Sequence, residues 1–108
     1  MENVLKDLYE IILDRKNNAE EGSYTSYLFE KGKDKILKKV GEECTEVVIS
    51  FKNDDKTEKI NGICDLAYHV LVLMSEDNVS MEEVEAELEK RRSKIGNFKG
   101  ERRKVEEI

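Results

Sequence analysis

Apolar residues recur along this chain at the spacing of helices. Val4, Leu5, Leu8, Ile11 and Ile12 fall on one face and predict a helix from about Asn3 to Asn17. Asn18-Ala19-Glu20-Glu21-Gly22 reads as a turn. Ser23-Tyr24-Thr25-Ser26-Tyr27-Leu28-Phe29-Glu30 reads as a short turn of helix or a structured loop, ended by Gly32. From Asp34, a candidate N-cap, to about Lys52, the residues Ile36, Val40, Cys44, Val47 and Phe51 recur at steps of four, four, three and four. At ~100° per residue they share a sector of about 80°, which Leu37 and Val48 widen to about 120°. The polar link Asn53-Asp54-Asp55-Lys56 has a length that joins antiparallel neighbours in a bundle. The next helix, Thr57 to Glu76, carries the broadest apolar surface in the chain, from Ile60 and Ile63 through Leu66, Val70 and Leu73, and is expected at the centre. Asp77-Asn78-Val79 turns the chain, and Ser80-Met81-Glu82-Glu83 is a capping box that opens a last helix running to Arg92 or Ile95. No segment alternates convincingly as a strand. The pattern predicts an all-α helical bundle with one domain over 1–95 and a mixed-charge tail, 96–108, expected to be mobile.

Composition narrows the picture. The chain has 108 residues, which suits a single domain, and 38% of them are hydrophobic. That share is below the usual ~45–50%, so a core built from one copy would be marginal, and a homo-oligomer is expected. The absence of proline favours long uninterrupted helices. With 19 basic and 25 acidic residues the formal charge is −6. This is the opposite of the basic stripe that neutralises nucleic-acid phosphates, so no nucleic-acid partner is expected. The charged N-terminal residues lack the apolar run of a signal peptide. The longest apolar stretch, Val70 to Met74, is far short of the ~20 residues of a membrane span. A cytoplasmic protein without a membrane partner is therefore expected. Cys44 and Cys64, with one His in the chain, cannot furnish a four-ligand zinc site, and both are expected as small reduced core residues. A single His also excludes the paired Glu-x-x-His motifs of a di-iron bundle.

The candidate chemistry lies in Lys38-Lys39-Val40-Gly41-Glu42-Glu43-Cys44-Thr45-Glu46. On a helix Glu43 and Glu46 are neighbours at i,i+3, and Glu42 and Glu46 at i,i+4. Glu43 lies just past the edge of the apolar sector, with Glu46 and then Glu42 further round. Like charges on adjacent turns repel by roughly 0.2–0.5 kcal/mol per pair, and a carboxylate beside the core is partly desolvated. A divalent cation would offset both, and hard oxygen ligands with waters retained suit Mg²⁺, with Mn²⁺ as the alternative. The following helix offers Asp65, with His69 one turn on and Glu58 two turns back on the same stripe. The same pattern also describes a solvated acidic helix face, with Asp65 and His69 as an i,i+4 surface pair.

At these residues the chain resembles the phosphoribosyl-ATP pyrophosphohydrolases of histidine biosynthesis. The resemblance spans nearly the whole chain. It is carried by Ser23-Tyr24-Thr25-Ser26-Tyr27-Leu28-Phe29, by Lys35-Ile36-Leu37-Lys38-Lys39-Val40-Gly41-Glu42-Glu43 followed by Glu46, and by Asp65-Leu66-Ala67-Tyr68-His69-Val70-Leu71-Val72-Leu73. It implies an all-α nucleoside-triphosphate pyrophosphatase similar in fold to the MazG-type enzymes, completed by homodimerisation. It implies Mg²⁺ held by an E-E-x-x-E motif at Glu42, Glu43 and Glu46 and by the Asp65 of an E-x-x-D motif. The first Glu of that second motif is replaced here by Gly62. The implied reaction is hydrolysis of 1-(5-phosphoribosyl)-ATP to 1-(5-phosphoribosyl)-AMP and pyrophosphate, with Glu43 or Glu46 orienting or deprotonating the attacking water. Lys31, Lys35, Lys38 and Lys39 become candidate phosphate contacts, and Ser23, Tyr24 and Thr25 candidate substrate contacts. Ordinary helix-surface lysines and a packed Tyr24 are the equal alternatives. Two other functions stay open: a pyrophosphatase of other nucleoside triphosphates, and a non-catalytic helical dimer used for interaction, which Gly62 motivates.

Overall fold

The computed structural model describes residues 3–96. The described residues form five helices and no strand: α1 (Val4–Asn17), α2 (Tyr24–Lys31), α3 (Lys33–Ser50), α4 (Lys56–Glu76) and α5 (Met81–Arg92). The expected mobile tail lies, from residue 97 on, outside them. Most helix starts are set locally. Asn3, Ser23 and Asp55 each accept a bond from a backbone N–H in the first turn that follows, satisfying donors the helix leaves orphaned. Both bonds of the capping box form at α5, between Ser80 and Glu83.

The start of α3 differs from the expectation. Asp34 is not the N-cap. It lies inside the first turn, and Gly32 closes α2 and opens α3 in a single residue at φ 94° and ψ 179°. Only glycine adopts that backbone without steric cost, so the corner is as sharp as a chain can make it. Asp34 then sits where a negative charge complements the N-terminal end of the helix dipole.

Helix α4 is central, as its apolar breadth predicts: it packs on both α3 and α1, and α2 bridges α1 and α3. Ile12, Leu28, Ile36 and Val72, one from each of α1 to α4, are essentially inaccessible to solvent and form the heart of the core with Tyr9, Leu71 and Met81. Two long side chains of α1 tie down the far end of α4. The Tyr9 hydroxyl donates to the Val79 carbonyl at 2.6 Å, and the Lys16 ammonium donates to the Ser75 carbonyl at 2.6 Å. A lysine placed on the last carbonyls of a helix also meets its negative dipole end.

The α3 stripe does not all face this core. Ile36 is buried and Val40 and Val47 are half-buried, but Leu37, Cys44, Val48 and Phe51 stay exposed. On α4, Ile60, Ile63 and Cys64 are exposed as well. The cysteines are therefore not core residues within one copy of the chain, contrary to expectation. One helix has room for two apolar faces, and a neighbour covers only one of them. Helix α5 touches the core with Met81, at its first residue, and leaves Leu88 exposed.

Candidate active site

Helices α3 and α4 make the most extensive contact in the fold, and Gly62 packs closely against α3 within it. A Cβ built at Gly62 would stand 3.3 Å from Ser50 Oγ and 3.7 Å from Val47 Cα. A helical glycine costs about 1 kcal/mol relative to alanine, and here it has a packing reason. Beside this contact the helices diverge to leave a cavity of ≈ 590 Å³. Lys39, Glu42, Glu43 and Glu46 line it from α3; Glu58, Asn61, Gly62 and Asp65 line it from α4. A larger cavity of ≈ 900 Å³ lies between the end of α1 and α2. Its guanidinium is already paired, Arg15 with Asp14 at 2.8 Å and with Glu20 at 3.1 Å. The smaller cavity holds the charge that chemistry on phosphates requires.

The four carboxylates expected as metal ligands, Glu42, Glu43, Glu46 and Asp65, thus share one cavity. They are not drawn together: among the described residues no three carboxylate, thiol or imidazole side chains stand close enough to hold a metal ion between them. Like charges spread along the cavity wall, and Lys39 compensates two of them. Its ammonium lies 3.6 Å from Glu42 and 3.7 Å from Glu43. Burial pushes the Lys39 pKa down, but the neighbouring Tyr24, Glu42 and Glu43 outweigh it, so the net effect is a raised value and a firmly charged ammonium. Glu43 is the most shielded of the acids in these pairs, with 14% of its side chain exposed against 51% for Glu42.

The other candidates lie off the cavity. Lys31 sits over the Tyr27 ring, 5.7 Å from its centroid. Lys35 and Lys38 project from α3 about 80° and 140° round from Glu43, and neither lines the cavity. Ser23 is spent on capping α2. The Tyr24 hydroxyl bonds His69 Nε2 at 3.0 Å, and Thr25 Oγ1 bonds the Tyr68 hydroxyl.

His69 departs from the expected surface pair. It is buried, and its Nδ1 lies 2.7 Å from the backbone carbonyl of Asp65, not from the carboxylate. A side chain on a helix leans back toward the preceding turn, which brings the ring to that carbonyl. A carbonyl can only accept, so Nδ1 carries the proton, and in the neutral imidazole Nε2 accepts from Tyr24. Burial raises the Tyr24 pKa, and the phenol remains a donor. Asn61 is a cavity residue that sequence reasoning missed; a neutral amide beside Gly62 carries no signal without the partner helix.

A unit whose described residues are helical, with its two longest helices facing each other across an acidic cavity edged by one lysine, has the make-up of the all-α nucleotide pyrophosphatases. The family model described as phosphoribosyl-ATP pyrophosphohydrolase matches residues 5–92, and the chain belongs to that family. It is 58% identical over 105 residues to a phosphoribosyl-ATP pyrophosphatase of Clostridium novyi, covering 97% of this chain and 96% of that protein. It is 60% identical to the protein of that name from Clostridium acetobutylicum, with the same coverage. The corresponding Listeria welshimeri protein is 54% identical over 97% of this chain and its own full length.

Proposed function

We propose that the protein hydrolyses 1-(5-phosphoribosyl)-ATP to 1-(5-phosphoribosyl)-AMP and pyrophosphate in histidine biosynthesis. The observation that carries this reading is the carboxylate cavity between α3 and α4 in a chain alike over nearly its whole length to proteins named for that activity. A polyphosphate repels an acidic wall, so the chemistry needs cations. Hard oxygen donors spread over two helices fit Mg²⁺, or Mn²⁺, which binds through one or two carboxylates, waters and substrate phosphates and needs no protein cage. Glu42, Glu43, Glu46 and Asp65 would hold it, and when bound it supplies positive charge to the phosphate oxygens around the cleaved bond. Glu58 and Asn61, which share the cavity, supply oxygen on the side where Gly62 has none.

The chain's own groups do the rest. A water adds to phosphorus and the bond between the α- and β-phosphates breaks. Glu43 or Glu46 orients that water and takes up its proton, and pyrophosphate leaves. Lys39, held charged at the cavity edge, contacts the phosphates as a point charge. Lys31, Lys35 and Lys38 raise the potential around the entrance at longer range. The exposed apolar stripe of Leu37, Cys44, Val48 and Phe51, with Ile60 and Ile63 beside it, supports a homodimer in which a second copy covers this face. No helix among the described residues is long and apolar enough to cross a membrane.

The test is pyrophosphate release from phosphoribosyl-ATP, ATP and dUTP, with and without Mg²⁺. Mg²⁺-dependent release from phosphoribosyl-ATP alone is expected. Comparable turnover of dUTP would assign the cavity to general nucleoside triphosphates, and no release from folded protein would leave only a helical interaction module. Glu46→Gln is expected to lower kcat by about a hundredfold or more with melting unchanged or higher; unfolding instead would make Glu46 structural.

A further inference from the structure

Two adjacent residues of α2 are bonded to two adjacent residues of α4. The Tyr24 hydroxyl reaches His69 Nε2 at 3.0 Å, and Thr25 reaches the hydroxyl of Tyr68. The rings support the same contact. Tyr24 stacks on Tyr68 with centroids 6.2 Å apart, and His69 meets Tyr24 edge-on at 5.7 Å and Tyr68 edge-on at 5.1 Å. The imidazole cannot turn freely, because its Nδ1–H is committed to the Asp65 carbonyl at 2.7 Å. Ser23 caps the same turn of α2 by accepting from Ser26 N, so the helix enters the contact in one register.

This contact adjoins the carboxylate cavity through Asp65. Burial raises the Tyr24 pKa most, and the Lys39 and Glu43 charges pull it in opposite directions, Lys39 down and Glu43 up. Lys39 and Glu43 are both well shielded, at 27% and 14% side-chain exposure. On the other helix, Asp65 lines the cavity with its side chain while its carbonyl anchors His69. One hydrogen-bonded unit therefore ties α2, which packs on α3 and runs into it through Gly32, to the α4 wall.

We propose that Tyr24–His69 and Thr25–Tyr68 form a latch that sets the α3 wall, at Lys39 and Glu43, against the α4 wall, at Asp65, and that His69 and Tyr68 are positioning residues for pyrophosphate release. The proposal rests on the reaction proposed above. A misplaced Glu43 slows the chemical step more than it weakens binding, so the effect falls on kcat.

The experiment compares Tyr24→Phe, His69→Asn, His69→Gln and the Tyr24→Phe/His69→Asn double variant with wild type, using phosphoribosyl-ATP and Mg²⁺. Asn keeps a donor near Nδ1 and loses the acceptor at Nε2; the longer Gln amide restores an oxygen there. Tyr24→Phe and His69→Asn are each expected to lower kcat roughly tenfold, about one hydrogen bond's worth. KM should stay within about twofold. The double variant should be no worse than either single, and His69→Gln should recover most of the rate. His69 is the single histidine of the chain, so ¹⁵N NMR of the imidazole reads it without assignment. The expected signature is a neutral Nδ1–H ring whose Nε2 resonance moves in Tyr24→Phe. A wild-type ring protonated at Nε2, additive losses, or a His69→Gln variant as slow as His69→Asn would each overturn the latch. Wild-type protein that releases no pyrophosphate overturns the reaction itself and the positioning role with it. Active wild type with unmoved variants overturns the latch alone.

Discussion

Gly62→Glu tests whether the cavity acids share one electrostatic field that a dication relieves. A sphere of 590 Å³ is about 10 Å across, so a carboxylate added at position 62 stands roughly 8–10 Å from Glu42, Glu43, Glu46, Glu58 and Asp65. Each repulsion is about 0.4 kcal/mol in a water-like dielectric, and Lys39 cancels one. Screening over a Debye length of about 8–10 Å leaves a net cost near 1 kcal/mol. Two further effects accompany any side chain here. Leaving glycine in a helix contributes roughly 0.5 kcal/mol of stability. The new Cβ, 3.3 Å from Ser50 Oγ, displaces a hydroxyl that bonds the Val47 carbonyl at 2.9 Å, at a cost of up to about 1 kcal/mol. Gly62→Gln carries both of those effects and no charge. In EDTA, thermal melting of the Glu variant is therefore expected roughly 4–8 °C below that of the Gln variant. Mg²⁺ should close that gap and raise the Glu variant's melting temperature more than the wild type's. Coincident melting of the two variants in EDTA, or equal Mg²⁺ shifts in all three proteins, would refute a shared acidic field at this cavity.

The proposed homodimer and the capping box give sharper outcomes still. Val48→Glu places a charge in the exposed α3 stripe and is expected to weaken self-association by at least about a hundredfold, read by sedimentation, with helicity retained; an unchanged dimer would move the interface elsewhere. Glu83 has its pKa lowered from 4.5, first by the Ser80 backbone N–H and then by the Ser80 hydroxyl. A depressed carboxylate stabilises the fold fully above its unfolded value and loses that contribution as pH falls through its folded value. Glu83→Gln should therefore melt below wild type at pH 7, and the difference should shrink below about pH 4.5; a pH-independent difference would contradict the linkage.

Local features were legible in the chain and transferred directly. The 3.6-residue periodicity located four long helices, because one neighbour along the chain suffices to define an apolar face. The Ser80–Glu83 capping box formed as written, because its donors and acceptors lie within four residues. The acidic stripe of Glu42, Glu43 and Glu46 could be drawn on α3 before any partner was known. Asp34 misled for an equally local reason: an Asp before an apolar run is a good cap, but Gly32 at positive φ let the helix begin two residues earlier.

Only the tertiary structure decided which faces meet. Gly62 read as a missing ligand, and the fold shows that it also packs closely against Ser50 and Val47 of α3. Cys44 and Cys64 shared the apolar spacing of the core and yet lie on faces no helix of the same copy covers. His69 found its partner 45 residues away in Tyr24, a distance at which spacing carries no information. A sequence states which side of a helix is greasy or charged, since that depends on rotation about one axis. It leaves open which side another helix will cover, since that depends on how several axes cross and how closely they approach.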